Sequence, residues 1–393
     1  MITVEEAQHR IAASFTLVDA ERVDLAHFAG RTAAESIIAH TDQPPLAVSA
    51  MDGYAVRSAD GDAPRKLIGT APAGHPFAGT VGPNQTVRIF TGAVIPHGAD
   101  AIVIQEEVDI TGGDAHFNAS AIRPDYIRTA GLDFKAGAVL VPAGKRITAR
   151  DVALLAAADI TAAKVRRRPR VAIAAIGDEL SAPGASRQPG GIVASTGYGV
   201  AAMIAGWGGT VCDLGILPDN ADEIATVAQA DADLVITLGG ASVGDHDLVQ
   251  KALGSTDFEL DFWKVAMRPG KPLLFGRLGK TPFIGMPGNP VSALVCAILF
   301  LKPALDAMLG APQHDSAPTA RLKHDLPAND GRQTYIRASL IQDGAELWAE
   351  PFALQDSSVL SVLAKADALI VRTPNAPHAA AGDRIPIIAL DGY

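Results

Sequence analysis

The chain of 393 residues is 48% hydrophobic and 19% charged, with a formal net charge of −10. So acidic a protein makes a poor general binder of nucleic acid or anionic membrane, and an anionic substrate would need a local basic pocket. The length predicts two to four domains, and no run of about 18 apolar residues marks a membrane span.

The N-terminal MITVEEAQHRIAASF opens with acids and an amphipathic pattern, so no secretory leader is expected. Residues 3–40 read as helical, with Val4, Ala7, Ile11, Ala12 and Phe15 at helical spacing and a second run from Val23 to Ile38. Across 45–140 short apolar segments (RKLIGT, QTVRIF, AIVIQEEV, AVLV) alternate with Gly/Pro turns, which predicts mostly β structure. ITARDVALLAAADI then reads as helix, and the basic run RRRPR at 166–170 as a solvated connector.

From Val171 the pattern becomes strand–helix alternation. The strand VAIAAI runs into GDEL, and a helix over about Gly197–Trp207 leads to the strand GTVCDLGIL. A helix over Ala221–Ala230 precedes the strand DLVITL, which ends in GGASVGD. PFIGM runs into GNP and the apolar helix VSALVCAILFLKPALDAML. This order predicts a mainly parallel sheet with helices on both faces, and ligands on such sheets bind at the carboxyl ends of the strands, where all three loops lie. Beyond 310–318, QTYIRASL, AELWAEPF, DALIVRT and RIPIIAL predict a small all-β unit. Cys212 and Cys296, the only cysteines, sit in apolar runs and read as core thiols of a reducing, cytoplasmic compartment.

Four segments carry candidate chemistry. In PGNP, Asn289 is placed to cap the helix and Pro290 to open it, while Gly288 lets backbone amides approach an anion at the helix N-terminus. A strand-to-helix turn with no ligand reads the same way. In GGASVGDHD, Gly239, Gly240 and Gly244 form a backbone cradle with Ser242 as a hydroxyl donor. Acids beside such a cradle call for a cation, so Asp247 suggests Mg²⁺ or another metal; the alternative is that Asp245 and Asp247 cap a helix. Glu179 of IGDEL would share that sheet edge or serve only as a helix N-terminal charge. Lys264, Arg268 and Lys271, within eight residues, supply the positive patch the acidic composition demands.

Taken together, MDGYAVR (51–57), TGAVIPHGADAIVIQEE (91–107), IRTAGLDFKAG (127–137), IGDEL (176–180), GGASVGDHD (239–247), MRPGKP (267–272) and GMPGNPVSA (285–293) resemble the molybdopterin molybdenumtransferases, the MoeA and gephyrin E-domain family. The resemblance implies an α/β plus β chain, elongated and multidomain. It would have a discontinuous helical domain (1–44 and 134–166), a β-rich domain (45–133), a MogA-like doubly wound α/β domain (167–312) and a C-terminal β-barrel (313–393). It implies a cytoplasmic homodimer that takes molybdate and adenylylated molybdopterin, uses Mg²⁺ and releases AMP, with a MogA-type adenylyltransferase and molybdenum enzymes as its neighbours.

By motif, the resemblance assigns Asp52, Glu179 and Asp247 to catalysis and Glu179, Asp219 and Asp247 to the metal. Substrate would be held by Thr91, Asp133, Gly239, Gly240, Ser242, Lys264, Arg268, Lys271, Pro287, Gly288, Asn289 and Pro290. Asp52 and Thr91 would reach the site across the dimer. Ala47, Val48, Ile176 and Ala194 stand where the family usually carries polar residues, which sets a second reading beside the first: a chain that binds molybdopterin species and assists delivery without turnover.

Overall fold

The computed structural model describes residues 1–240, 252–254, 257–312 and 318–390. Its central layer is a six-stranded sheet in which Thr210–Leu217, Arg170–Ile176, Leu234–Leu238 and Thr281–Met286 run parallel, followed by Leu274–Leu278 and Phe258–Trp263 in antiparallel order. The inner strands are nearly continuous β-branched and aliphatic runs because both faces are covered. Helix Thr196–Gly206 and the long helix Pro290–Leu309 pack on one face, where Ile173, Ile236, Val200, Ile204 and Val295 share a core. Helix Ala221–Ala225 covers the other with Ile224 beside Ala174 and Val235. The mainly parallel, two-faced sheet expected from the sequence is therefore present. The helix expected over Ala221–Ala230 tightens after Ala225 into a 3₁₀ turn at Thr226–Gln229.

Pro290–Leu309 has the length and hydropathy of a bilayer span, yet 78% of its most apolar window is buried against the sheet and helix Val4–Ala13. Hydroxyl capping starts that N-terminal helix, with Thr3 accepting from the Glu6 amide, and Val4, Ala7 and Ile11 enter the central core.

A second helix over Val23–Ile38 does not form. Ala20–Asp24 is a strand paired antiparallel with Ala162–Arg166, Leu25–His27 is a single 3₁₀ turn, and Ile37–Ile38 pairs with Val139–Val141. Phe28, Ala33 and Ile37 all reach one core with Ile147, Leu155 and Val165, so tertiary pairing satisfies the apolar spacing that mimics a helix. Gly30, at φ +75°, also turns the chain out of helical space. Of the helices expected around this core, Ala149–Ala157 is present, opened by a reciprocal capping box between Thr148 and Asp151.

The 45–133 region centres on a six-stranded sheet, ordered Ala101–Ile104, Gly53–Val56, Gln85–Ile89, Arg65–Ala71, Asp114–His116, Asp109–Thr111. At the C-terminal end Gln333–Asp343, Glu346–Pro351, Thr319–Leu322, Arg384–Ala389 and Ala368–Arg372 close on themselves through pairing of the first with the last, a five-stranded barrel. RRRPR is no solvated connector: Arg167 grips Asp233 with two bonds of 2.7 Å, and Arg170 reaches Asp231 at 2.6 Å. Charge runs default to solvent only when no acid waits at the neighbouring strand entrance.

Candidate functional site

The carboxyl ends of the parallel strands open into a cavity of about 710 Å³, within the range of roughly 300–1,000 Å³ usual for small-molecule sites. Three loops build it. The strand Arg170–Ile176 ends at Gly177, whose amide is held by the Leu217 carbonyl at 3.1 Å. A Cβ on Gly177 would fall 2.4 Å from Glu179 Oε2, so the bare glycine lets the Glu179 carboxylate fold back against the strand end. The neighbouring loop is tied to this one through Asp178 and Asp219: the Asp219 amide donates to Asp178 Oδ1 at 3.1 Å, and the Asp178 amide to Asp219 Oδ2 at 3.5 Å. Glu179 and Asp219 thus line one cavity from adjacent loops.

Gly239 follows the next strand at φ +97°, and a Cβ there would meet the Ile176 carbonyl at 2.6 Å. A Cβ on Gly288 would stand 3.5 Å from the Gly239 Cα, ordinary van der Waals contact, so the two loops lie side by side. Gly240, Pro287, Gly288, Asn289 and Pro290 complete this wall. Pro287 is buried, which fixes the loop from below, while Gly288 and Asn289 are exposed to the cavity side.

Asn289 does not cap the helix with its side chain. Its Nδ2 donates to Ser357 Oγ at 3.2 Å, and the Val291 amide donates to the Ser357 carbonyl at 3.2 Å. The cap comes instead from the barrel, and Ser358 lines the cavity beside it. Arg337, 2% exposed, anchors that barrel loop through Nε to Gln355 Oε1 at 3.1 Å and Nη1 to the Asp356 carbonyl at 2.8 Å. Sequence reasoning missed Ser357, Ser358 and Arg337. They belong to the far end of the chain, and the QDSS stretch carries no periodicity or spacing that points to helix Pro290–Leu309.

The remaining expected residues are distributed otherwise. Asp247 and Ser242 lie outside the described residues. Lys264, Arg268 and Lys271 are not among the described residues that line the cavity, although Pro272, next to Lys271, is. Lys264, at φ +73°, sets its ammonium 3.5 Å from the Trp263 ring centroid, a cation–π contact. Arg268 sits on a short strand parallel to Gln333–Thr334 of the barrel, and Lys271 is half-buried in the turn that follows. Of the three cations, Lys264 makes the ring contact, while Arg268 stands at the junction with the barrel.

Asp52 and Thr91 do come together, in the β-rich region. Asp52 Oδ1 accepts from the Thr91 amide at 2.7 Å and from Thr91 Oγ1 at 2.9 Å, and the amide bond above all holds the carboxyl below the usual carboxylate range. The Arg88 guanidinium adds to this, seated 5.0 Å from the rings of both Tyr54 and Phe90. Asp133 is exposed and joined through its amide to the Gln43 carbonyl at 2.9 Å. None of Asp52, Thr91 and Asp133 lines the cavity within one chain. Of the four apolar departures, Ile176 and Ala194 do line it, whereas Ala47 and Val48 belong to the β-rich region.

Among the described residues no three His, Cys, Asp or Glu side chains converge as a metal cage. Two carboxylates beside an amide-rich loop nonetheless match the donor set of Mg²⁺, which takes one or two protein carboxylates and completes its shell with phosphate oxygens and water. Glu179 and Asp219 fit that group.

Three family models cover nearly the whole chain: the MoeA N-terminal region (domains I and II) over residues 2–158, a probable molybdopterin binding domain over 172–307, and the MoeA C-terminal region (domain IV) over 319–390. A molybdopterin molybdenumtransferase of Haemophilus influenzae is 34% identical, with 98% of each chain covered. Another from Nostoc is 36% identical over 90% of this chain and 85% of its own. The solved molybdopterin biosynthesis MoeA protein of Pyrococcus horikoshii superposes with a TM-score of 0.85 at 28% identity, covering 100% of both chains. With its β-rich sheet, α/β layer and closed barrel matched by these relatives over nearly the whole chain, the chain belongs to the molybdopterin molybdenumtransferase family.

Proposed function

We propose that this enzyme inserts molybdenum from molybdate into adenylylated molybdopterin with Mg²⁺-dependent release of AMP. The observation that carries the reading is the convergence of Glu179, Asp219, Gly239 and the Pro287–Pro290 loop on one cavity at the sheet's carboxyl edge. The glycine-rich backbone and the Pro290 helix end offer amides and a positive dipole end to a phosphate. Glu179 and Asp219 would hold Mg²⁺ against it, and the bound ion supplies charge neutralisation at the phosphate oxygens. In this reading the Glu179 carboxylate, folded against the strand end, would take the proton of a water that attacks the phosphoanhydride as AMP leaves. Asp52 and Thr91, away from the cavity in one chain, support a homodimer in which a second copy completes the site.

The test is AMP release from authentic adenylylated molybdopterin by purified protein, with and without molybdate and Mg²⁺. Release needing both is expected, reduced at least tenfold in Glu179→Gln. No release from authentic substrate would end the reading.

Ile176 and Ala194 favour a second reading, because they present apolar surface to the cavity. A chain that binds molybdopterin and assists cofactor delivery to a molybdenum enzyme, without turnover, would bind substrate yet fail to rescue a strain lacking the transferase. Full rescue excludes it.

A further inference from the structure

Beside the main cavity lies a smaller one of about 290 Å³, between helix Thr196–Gly206 and the edge strand Thr210–Leu217. The two share Ala175, Ala194 and Gly197 in their walls, so the small cavity adjoins the large one. It exists because the facing positions on the helix and the sheet, Ala175, Gly197, Ala201 and Gly215, are small where a packed core would place Leu or Ile. Ile173 and Val211 form its apolar wall.

Two polar features break that wall. The edge strand bulges after Asp213, with a register shift opposite Ile173/Ala174 and Gly215 at φ +79°. The bulge lets the Gly215 amide donate to Asp213 Oδ1 at 2.9 Å, one of the several hydrogen bonds a carboxylate can accept, and Asp213 lines the chamber. Tyr198, 62% exposed, sets a phenol ring at the same chamber.

We propose that this chamber receives a flat heteroaromatic ring bearing a 2-amino-4-oxopyrimidine edge, the pterin end of the substrate, with Asp213 accepting its paired N–H donors. The proposal rests on the molybdopterin reading of the main cavity. A carboxylate matches two adjacent N–H groups as a bidentate acceptor, and the 2-amino-4-oxopyrimidine edge of pterin or guanine offers such a pair. Adenine offers only an amino group next to ring acceptors, so it leaves one carboxylate oxygen facing a lone pair. A flexible alkylamine would satisfy the charge but gain little from the apolar wall or from stacking on Tyr198. Because the cavities adjoin, a ligand whose ring sits in the chamber would bring its phosphate toward the Gly239 and Gly288 loops.

Pterin fluorescence titration of the full-length protein tests this, with guanosine and adenosine as competitors and AMP as an independent probe of the main cavity. Saturable pterin binding is expected, displaced by guanosine more weakly than by pterin and not by adenosine. Asp213→Asn preserves the bond from the Gly215 amide but turns an acceptor into a donor, and should weaken pterin at least tenfold. Ala201→Leu should do the same by filling the chamber, while AMP affinity changes less than twofold in both. Absent pterin binding, or equal binding in wild type and both variants, overturns the assignment. Displacement by adenosine, or tighter binding of guanosine than of pterin, also overturns it. Wild-type AMP release reads the main cavity separately: release with unaltered pterin affinities sinks the chamber alone, and lost release with altered affinities sinks the molybdenum reading alone.

Discussion

Asp52 owes its low pKa to two bonds from a single neighbour, which makes Thr91 the residue to perturb. Thr91→Val removes the hydroxyl and keeps the amide, so the Asp52 carboxyl should titrate higher than in wild type but still below the ordinary range. A carboxyl-carbon NMR titration reads this directly, and no upward movement would show that the hydroxyl is idle. A carboxyl with a depressed folded pKa contributes stability above its unfolded pKa, and that contribution is lost as pH falls through the folded value. Any stabilisation from this pair is therefore present at neutral pH and vanishes only in acid. At this scale Glu179, Gly239 and the 287–290 loop were legible as a group, since each follows a strand of one parallel sheet and topology delivers them to one edge. For the cation trio proximity in sequence says nothing about direction: Lys264 sets its ammonium over the Trp263 ring, and Arg268 lies on a strand paired with the barrel.

At the scale of elements, helix Pro290–Leu309 begins with a good local signal, yet its cap is completed 68 residues downstream at Ser357. The barrel loop stays in place through Arg337, whose guanidinium is pushed down by burial and sustained by the nearby Asp356 charge. Arg337→Met should release Gln355 and Asp356 and cost roughly 1.5–3 kcal/mol, the usual range for hydrogen bonds to charged groups. Urea unfolding checks the stability. If the loop serves the cavity, KM for AMP release should rise more than kcat falls; a stability loss with unchanged KM would confine Arg337 to the barrel. The Val23–Ile38 segment teaches the converse lesson. Its spacing suits a helix, but Gly30 and the pairing with Ala162–Arg166 carry the same apolar residues to the core as strand and turn.

Across the whole molecule, the connector into the α/β sheet is held by the Arg167–Asp233 fork rather than left in solvent. Burial alone would raise the Asp233 carboxyl, but the Arg167 bond, the Arg170 amide and the charges of both arginines together hold it below the ordinary range. Asp233→Asn should lower the unfolding free energy by roughly 1.5–3 kcal/mol at neutral pH. Because the folded pKa is the lower one, the gap from wild type should narrow as pH falls below the usual carboxylate range. Denaturant curves at neutral and acid pH check this, and a gap that widens in acid would refute the sign. Composition and periodicity alone determined the parallel sheet, its glycine-rich edge, the β-rich middle and the all-β tail, since each follows from local chain stiffness and a repeat of apolar side chains. Motif order added the family. Only the tertiary structure decided that the barrel caps the Pro290 helix, that Lys264 stacks on Trp263, and that small side chains at Ala175, Gly197 and Ala201 leave a chamber beside Asp213. Those outcomes depend on which surfaces meet across long separations in the chain, and no local pattern of residues encodes that meeting.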